Sequence, residues 1–199
     1  MPSARLGLVL ERLGLLRQTF VPRFDPTGVY TVEEQENAHA FLVFFHAEVE
    51  SFIEARALEI AASALSIWQN QGKSSKALVA LCAVHGGEGK DKRDENLDER
   101  IARAHNAFED VVGKNNGVKR PNLRKMLSPI GIEFNVSHES WLVEMEQFGG
   151  RRGNSAHRSG ARLGSGRNAI NPADEWRRAQ VVLVGLTDLD ARFDAAVVT

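Results

Sequence analysis

A chain of 199 residues, 43% hydrophobic and 26% charged, is long enough for one sizeable core and too apolar to be disordered throughout. Its formal net charge of −1 excludes a global basic field, so any site for a polyanion must be local. The single cysteine, Cys82, excludes an internal disulfide and reads as a small core residue in a reducing compartment. No apolar run reaches membrane-spanning length, and Arg5 and Glu11 interrupt the N-terminal leucines where a signal peptide needs an unbroken core. A cytoplasmic protein without membrane contact is expected.

Apolar positions recur at helical spacing almost everywhere, which predicts an all-α domain over residues 1–199. Residues 1–30 read as an N-terminal helix and an extended segment, and residues 31–199 as the core bundle. Leu6, Leu8, Val9, Leu13, Leu15 and Leu16 mark the first helix, which must end before Pro22; two prolines and Gly28 keep the following segment extended. Thr31 and Glu34 form a capping-box pattern that opens the longest helix, running to about Trp68 through Leu42, Phe45, Val49, Phe52, Ile60 and Leu65. A second apolar helix is predicted over about 74–84, followed by a solvated loop from Gly86 to Asn96.

Helical periodicity resumes over 97–112 and stops at Gly113, and a short helix around 123–127 ends at Pro129. The helix that starts at Ser137 or His138 is expected to break at Gly149 and Gly150. Beyond it lies a basic, glycine-rich loop over 158–167. Asn171 as cap and Pro172 at the first helical position open the last helix, whose stripe Trp176, Leu183, Leu186, Leu189 and Phe193 is expected to pack on the central helix.

The segment Phe148-Gly-Gly-Arg-Arg-Gly-Asn-Ser-Ala-His157 holds the residues with the most chemistry. An arginine binds a phosphodiester and neutralises charge developing on it, while a histidine moves a proton to or from a ribose hydroxyl. The Arg-x4-His spacing occurs twice. Arg100 and His105 lie within a regular amphipathic pattern, where positions five apart diverge by about 140°, so they are expected on a solvated face. Arg152 and His157 differ, because Gly149, Gly150 and Gly153 loosen the backbone and a restarted helix turns both side chains to one point.

On the central helix, His46 and Glu50 are four apart and share a face. Glu50 is expected to be half-buried with Arg152 as its partner, and His46 to be a polar edge. No metal-ligand spacing, phosphate-cradling glycine loop or serine elbow is found, so neither metal nor cofactor is expected.

Three stretches together resemble the HEPN domain family, and most its RiboL-PSP-associated group: Phe41 to Glu54 with its His-Ala-Glu-Val-Glu core, Asn122 to Gly131, and Phe148 to His157. The resemblance covers most of the chain from about Pro22 onward. It implies an up-and-down helical bundle that dimerises, with Arg and His of both subunits forming a metal-independent endoribonuclease site, in proteins that often act as toxins or phage-defence effectors. RNA, a second copy of the chain and an antitoxin or defence partner are the implied partners. The family pattern usually has a polar residue after its arginine. Here Gly153 follows Arg152, and Asn154 comes one place later; aligned on Arg151 instead, the following residue is Arg152.

In this reading His157 acts on the 2′-hydroxyl or the leaving 5′-oxygen, Arg152 stabilises the phosphorane-like charge, and Asn154 orients His157 or binds phosphate. Glu50, His46 and Arg151 support them, and Arg158, Arg162 and Arg167 hold the RNA backbone. The competing reading is a non-catalytic helical module that binds RNA, a nucleotide or a partner protein.

Overall fold

The computed structural model describes residues 2–87, 96–157 and 170–197, the side chains of Ala156, His157 and Val197 excepted. The fold is an all-α helical bundle, as the periodicity predicts, with no strand among the described residues. Its helices are α1 (Ala4–Phe20), α2 (Val32–Gln71), α3 (Lys76–His85), α4 (Leu97–Gly113), α5 (Arg120–Leu127), α6 (Glu139–His157) and α7 (Pro172–Val197). None of these helices is long and apolar enough to cross a membrane.

The helix starts follow local chemistry. The Thr31 hydroxyl accepts the Glu34 N–H at 3.2 Å while the Glu34 carboxylate accepts the Thr31 N–H at 2.8 Å, closing the predicted capping box. Asn171 caps α7 by accepting the N–H groups of Ala173 and Asp174, with Pro172 where no donor is needed. Ser3, Ser75 and Asn96 cap α1, α3 and α4 in the same manner.

The described residues form two compact units that share α2 and α7. The first comprises Met1–Phe52, Gly117–Arg120 and His138–Thr187. Its core joins Leu6, Leu13 and Leu16 of α1, Phe41, Phe45 and Val49 of α2, Leu142, Met145 and Phe148 of α6, and Val182 of α7. Trp176, half-buried, meets Phe41 edge-on at 6.2 Å, so this part of α7 packs on the central helix as expected. Trp141 lies flat against Gly185, where a Cβ would overlap the indole, and its Nε1 donates to the Val182 carbonyl at 3.2 Å.

The second unit comprises Ile53–Asn116, Pro121–Ser137 and Asp188–Thr199. Its core joins Ile53 and Ile60 of α2, Leu78 and Leu81 of α3, Ile101 and Phe108 of α4, Leu123 and Met126 of α5, and Leu189 and Phe193 of α7. Arg56, 8% exposed, is held by Asp190 at 3.2 Å, by Glu59 at 3.0 Å and by Asp194, and lies over the Phe193 ring. A buried guanidinium persists because these carboxylates balance its charge.

Three local expectations are corrected. Cys82 is half-buried, because the buried stripe of α3 runs through Ala77, Leu78, Leu81 and His85 and leaves Cys82 beside it. His105 is buried, 8% exposed, because 105 falls on the stripe Ile101, Ala104, Phe108 and Val112; only Arg100 is on the solvated face. Most consequentially, α6 does not break at its glycines: it continues from Glu139 to His157, and Gly149, Gly150 and Gly153 keep helical backbone, the positive φ values among the described residues falling instead on Gly28, Gly72, Gly117 and Gly131. Each glycine weakens a helix by about 1 kcal/mol relative to alanine, but burial of Phe148 against Phe45 and His46 on one side of that segment offsets it.

Candidate functional site

The candidate site is a polar strip along α2 and α6 in the first unit. On α2, His39 and His46 are seven residues apart and so share a direction to within about 20°. On α6, Phe148, Arg152 and Ser155 follow at spacings of four and three, which puts them on one face. The two helices meet along these faces: the Phe148 ring is 5.1 Å from that of His46, and Ser155 Oγ is 2.9 Å from His39 Nδ1.

His46, expected as a polar edge, is instead buried, 1% exposed, because the Phe148 side of α6 covers it, and its Nδ1 stands 3.6 Å from Glu50 Oε2. Burial, and after it the positive charge of Arg152, pushes its pKa down to about 4. The ring is therefore neutral at pH 7. Glu50 also accepts the backbone N–H of Gly117, and among the described residues no ion pair joins it to Arg152, the partner expected for it. A carboxylate that takes a backbone donor and faces an imidazole has a structural task, fixing the start of the chain segment at Gly117 against α2.

The adjacent arginines have different environments. Arg151 is clamped between helices, its Nη2 2.8 Å from Glu144 and its Nε 3.2 Å from the buried Glu175, which also takes Arg178 at 2.7 Å. Arg152 is half-buried, and among the described residues no hydrogen bond or ion pair ties it down, while its charge reaches His46. Of the two, Arg152 is the one whose donors are open to a ligand. Asn154 is exposed.

His157 is the last residue of α6, and its side chain lies outside the described residues, as do Arg158, Arg162 and Arg167. Because α6 is unbroken, positions 152 and 157 differ by about 140° around its axis. The expected convergence by a restarted helix does not occur. His39 and Ser155 are not among the site residues that the sequence marks. The seven-residue spacing of His39 and His46 on one long helix was the available signal for the first; the second gave none, since its partner is 116 residues away.

Among the described residues no group of three histidines, cysteines, aspartates or glutamates is placed to hold a metal ion. In comparisons with known proteins, no family model, no curated protein and no solved structure matches this chain.

Proposed function

We propose that the chain is an endoribonuclease of the HEPN type, acting without metal through Arg152 and His157. The observation that carries the reading is the state of Arg152: a half-buried guanidinium, untied among the described residues, beside the neutral His46 and next to an arginine that is locked in ion pairs. A cation left without a carboxylate in a packed helical strip is suited to an anionic ligand, and a phosphodiester accepts its two parallel N–H groups.

In the reaction, a histidine takes the proton of the ribose 2′-hydroxyl, the 2′-oxygen bonds to phosphorus, the bond from phosphorus to the 5′-oxygen breaks, and a second acid returns a proton to that oxygen. An imidazole, whose unperturbed pKa is about 6.5, suits either transfer, and His157 takes that role in this reading. Arg152 stabilises the charge that grows on the phosphoryl oxygens, Asn154 orients His157 or binds phosphate, and Arg158, Arg162 and Arg167 hold the strand. Positions 152 and 157 lie about 140° apart around one helix, so a homodimer supplies the complementary pair. A toxin or phage-defence role in the cytoplasm, restrained by an antitoxin or defence partner, fits such an activity.

The test is incubation of the pure protein with total RNA, with and without EDTA, and mass spectrometry of the fragment ends. Cleavage that survives chelation and leaves 2′,3′-cyclic phosphates is expected. Intact RNA would leave the non-catalytic binding module as the reading, and 3′-hydroxyl ends would require a different attack.

A further inference from the structure

The first unit carries a groove of about 660 Å3 between the end of α1, the extended segment after it and the start of α7. Its size falls within the range of small-ligand sites. Arg17, Arg23 and Arg177 line it and no acidic residue does, in a chain whose net charge is −1. Asp174 takes Arg177 at 2.8 Å, but among the described residues no carboxylate pairs with Arg17 or Arg23. The local charge is strongly positive.

Two aromatic rings stand among these cations. Phe24 is 72% exposed, and Trp176, half-buried, carries the Arg17 guanidinium 4.5 Å from its ring centre. An exposed phenyl in a positive groove is a poor choice for contact with water and a good one for stacking on a base, whose phosphates the arginines neutralise. Gln18 and Gln180, also in the lining, present amides that can pair with any base edge. The groove is joined to the strip that holds Arg152 by packed rings: Trp176 on Phe41 at 6.2 Å, Phe41 on Phe45 at 5.8 Å, and Phe45 on Phe148 at 5.3 Å, one turn before Arg152.

From this combination we infer that the groove binds a segment of single-stranded RNA, with Phe24 and Trp176 as stacking platforms and Arg17 and Arg23 on the phosphates. The choice of RNA rests on the ribonuclease reading. The interleaved cations and rings do not depend on it.

The test uses the full chain and a fluorescein-labelled, 2′-O-methyl 12-mer, which cannot be cleaved through its 2′-oxygens, followed by anisotropy over a salt series. The double variant Arg17→Ala, Arg23→Ala should bind at least about tenfold more weakly, with the log–log salt slope reduced by about 1.4 for two lost phosphate contacts. Phe24→Ala should lose about tenfold with the slope unchanged, and since Phe24 is outside the core its helicity should be that of the wild type. The charge-matched pair Lys73→Ala, Arg100→Ala, both exposed elsewhere, should bind as the wild type does. The inference is overturned if Phe24→Ala binds normally, if the control pair loses as much as the groove pair, or if ADP displaces the 12-mer at equal concentration, which would mark a free-nucleotide site. Binding that behaves as expected in a protein that cleaves nothing would uphold the groove and sink the ribonuclease reading.

Discussion

The Nδ1 of His39 lies 2.9 Å from the Oγ of Ser155, a contact that ties α2 to the last turn of α6 three residues beyond Arg152. Ser155 is 7% exposed, so a lost partner there is not replaced at once by water. Ser155→Ala and His39→Ala should each cost about 1 kcal/mol or more, and the double variant should cost less than the sum of the two by about 1 kcal/mol, the coupling of one shared hydrogen bond. Thermal melts of the four proteins measure this coupling. Cleavage should fall severalfold in each without vanishing, because the pair positions the turn and touches no reacting atom; full additivity would remove that role.

His46 makes stability depend on pH. Its folded pKa of about 4 lies below the ordinary 6.5, so between these values the unfolded chain binds a proton that the folded chain refuses. The contribution is complete above about pH 6.5 and declines as the pH falls toward 4, by about 3 kcal/mol over the window. Denaturant titrations of wild type and His46→Gln should converge as the pH is lowered. By NMR, the His46 ring should titrate near 4, and Arg152→Gln should raise that midpoint; a midpoint near 6.5 would show that the ring is not buried beside a cation.

Arg151 and Arg152 should separate stability from activity. Arg151→Ala leaves Glu175, 4% exposed, with Arg178 as a remaining partner, so the cost should be about 2–3 kcal/mol, below the 3–5 of a buried pair broken outright. Arg152→Ala should leave the melting temperature within a few degrees and remove cleavage. The opposite assignment of effects would move the working arginine to 151.

Much of the fold was legible because its signals are local. The capping box at Thr31 and Glu34 and the Asn171-Pro172 start each lie within a few residues, and the stripe Leu42, Phe45, Val49, Phe52 repeats at helical spacing whatever it packs against. The glycine pair in α6 misled for the opposite reason. Gly149 and Gly150 signal a break by propensity, and the burial of Phe148 on Phe45 and His46, around a hundred residues away, outweighs it. His105 was legible in principle, since its position falls on the apolar stripe of its own helix, α4; the contact of His39 with Ser155 was not, since it joins residues 116 apart. Of the candidate site, the residue types of the motif could be read from the sequence, whereas the unbroken course of α6 through it and its cross-helix partners could not.

Gly185 is a packing requirement. The Trp141 indole occupies the place of its missing side chain, so Gly185→Ala must displace the ring and strain its bond to the Val182 carbonyl. A loss of about 1–3 kcal/mol is expected in chemical denaturation, with helicity retained. An alanine that stabilised the protein would mean that Trp141 has another place to go.

The role of His157 and Arg152 in RNA cleavage is decided by single-turnover cleavage of one defined RNA in EDTA by matched variants. His157→Ala and Arg152→Ala should be inactive at unchanged helicity, whereas Arg100→Ala and His105→Gln, at the other Arg-x4-His match, should retain activity within a fewfold of wild type. Cleavage by His157→Ala at the wild-type rate, with 2′,3′-cyclic ends, would contradict that role and move the proton transfer to another group.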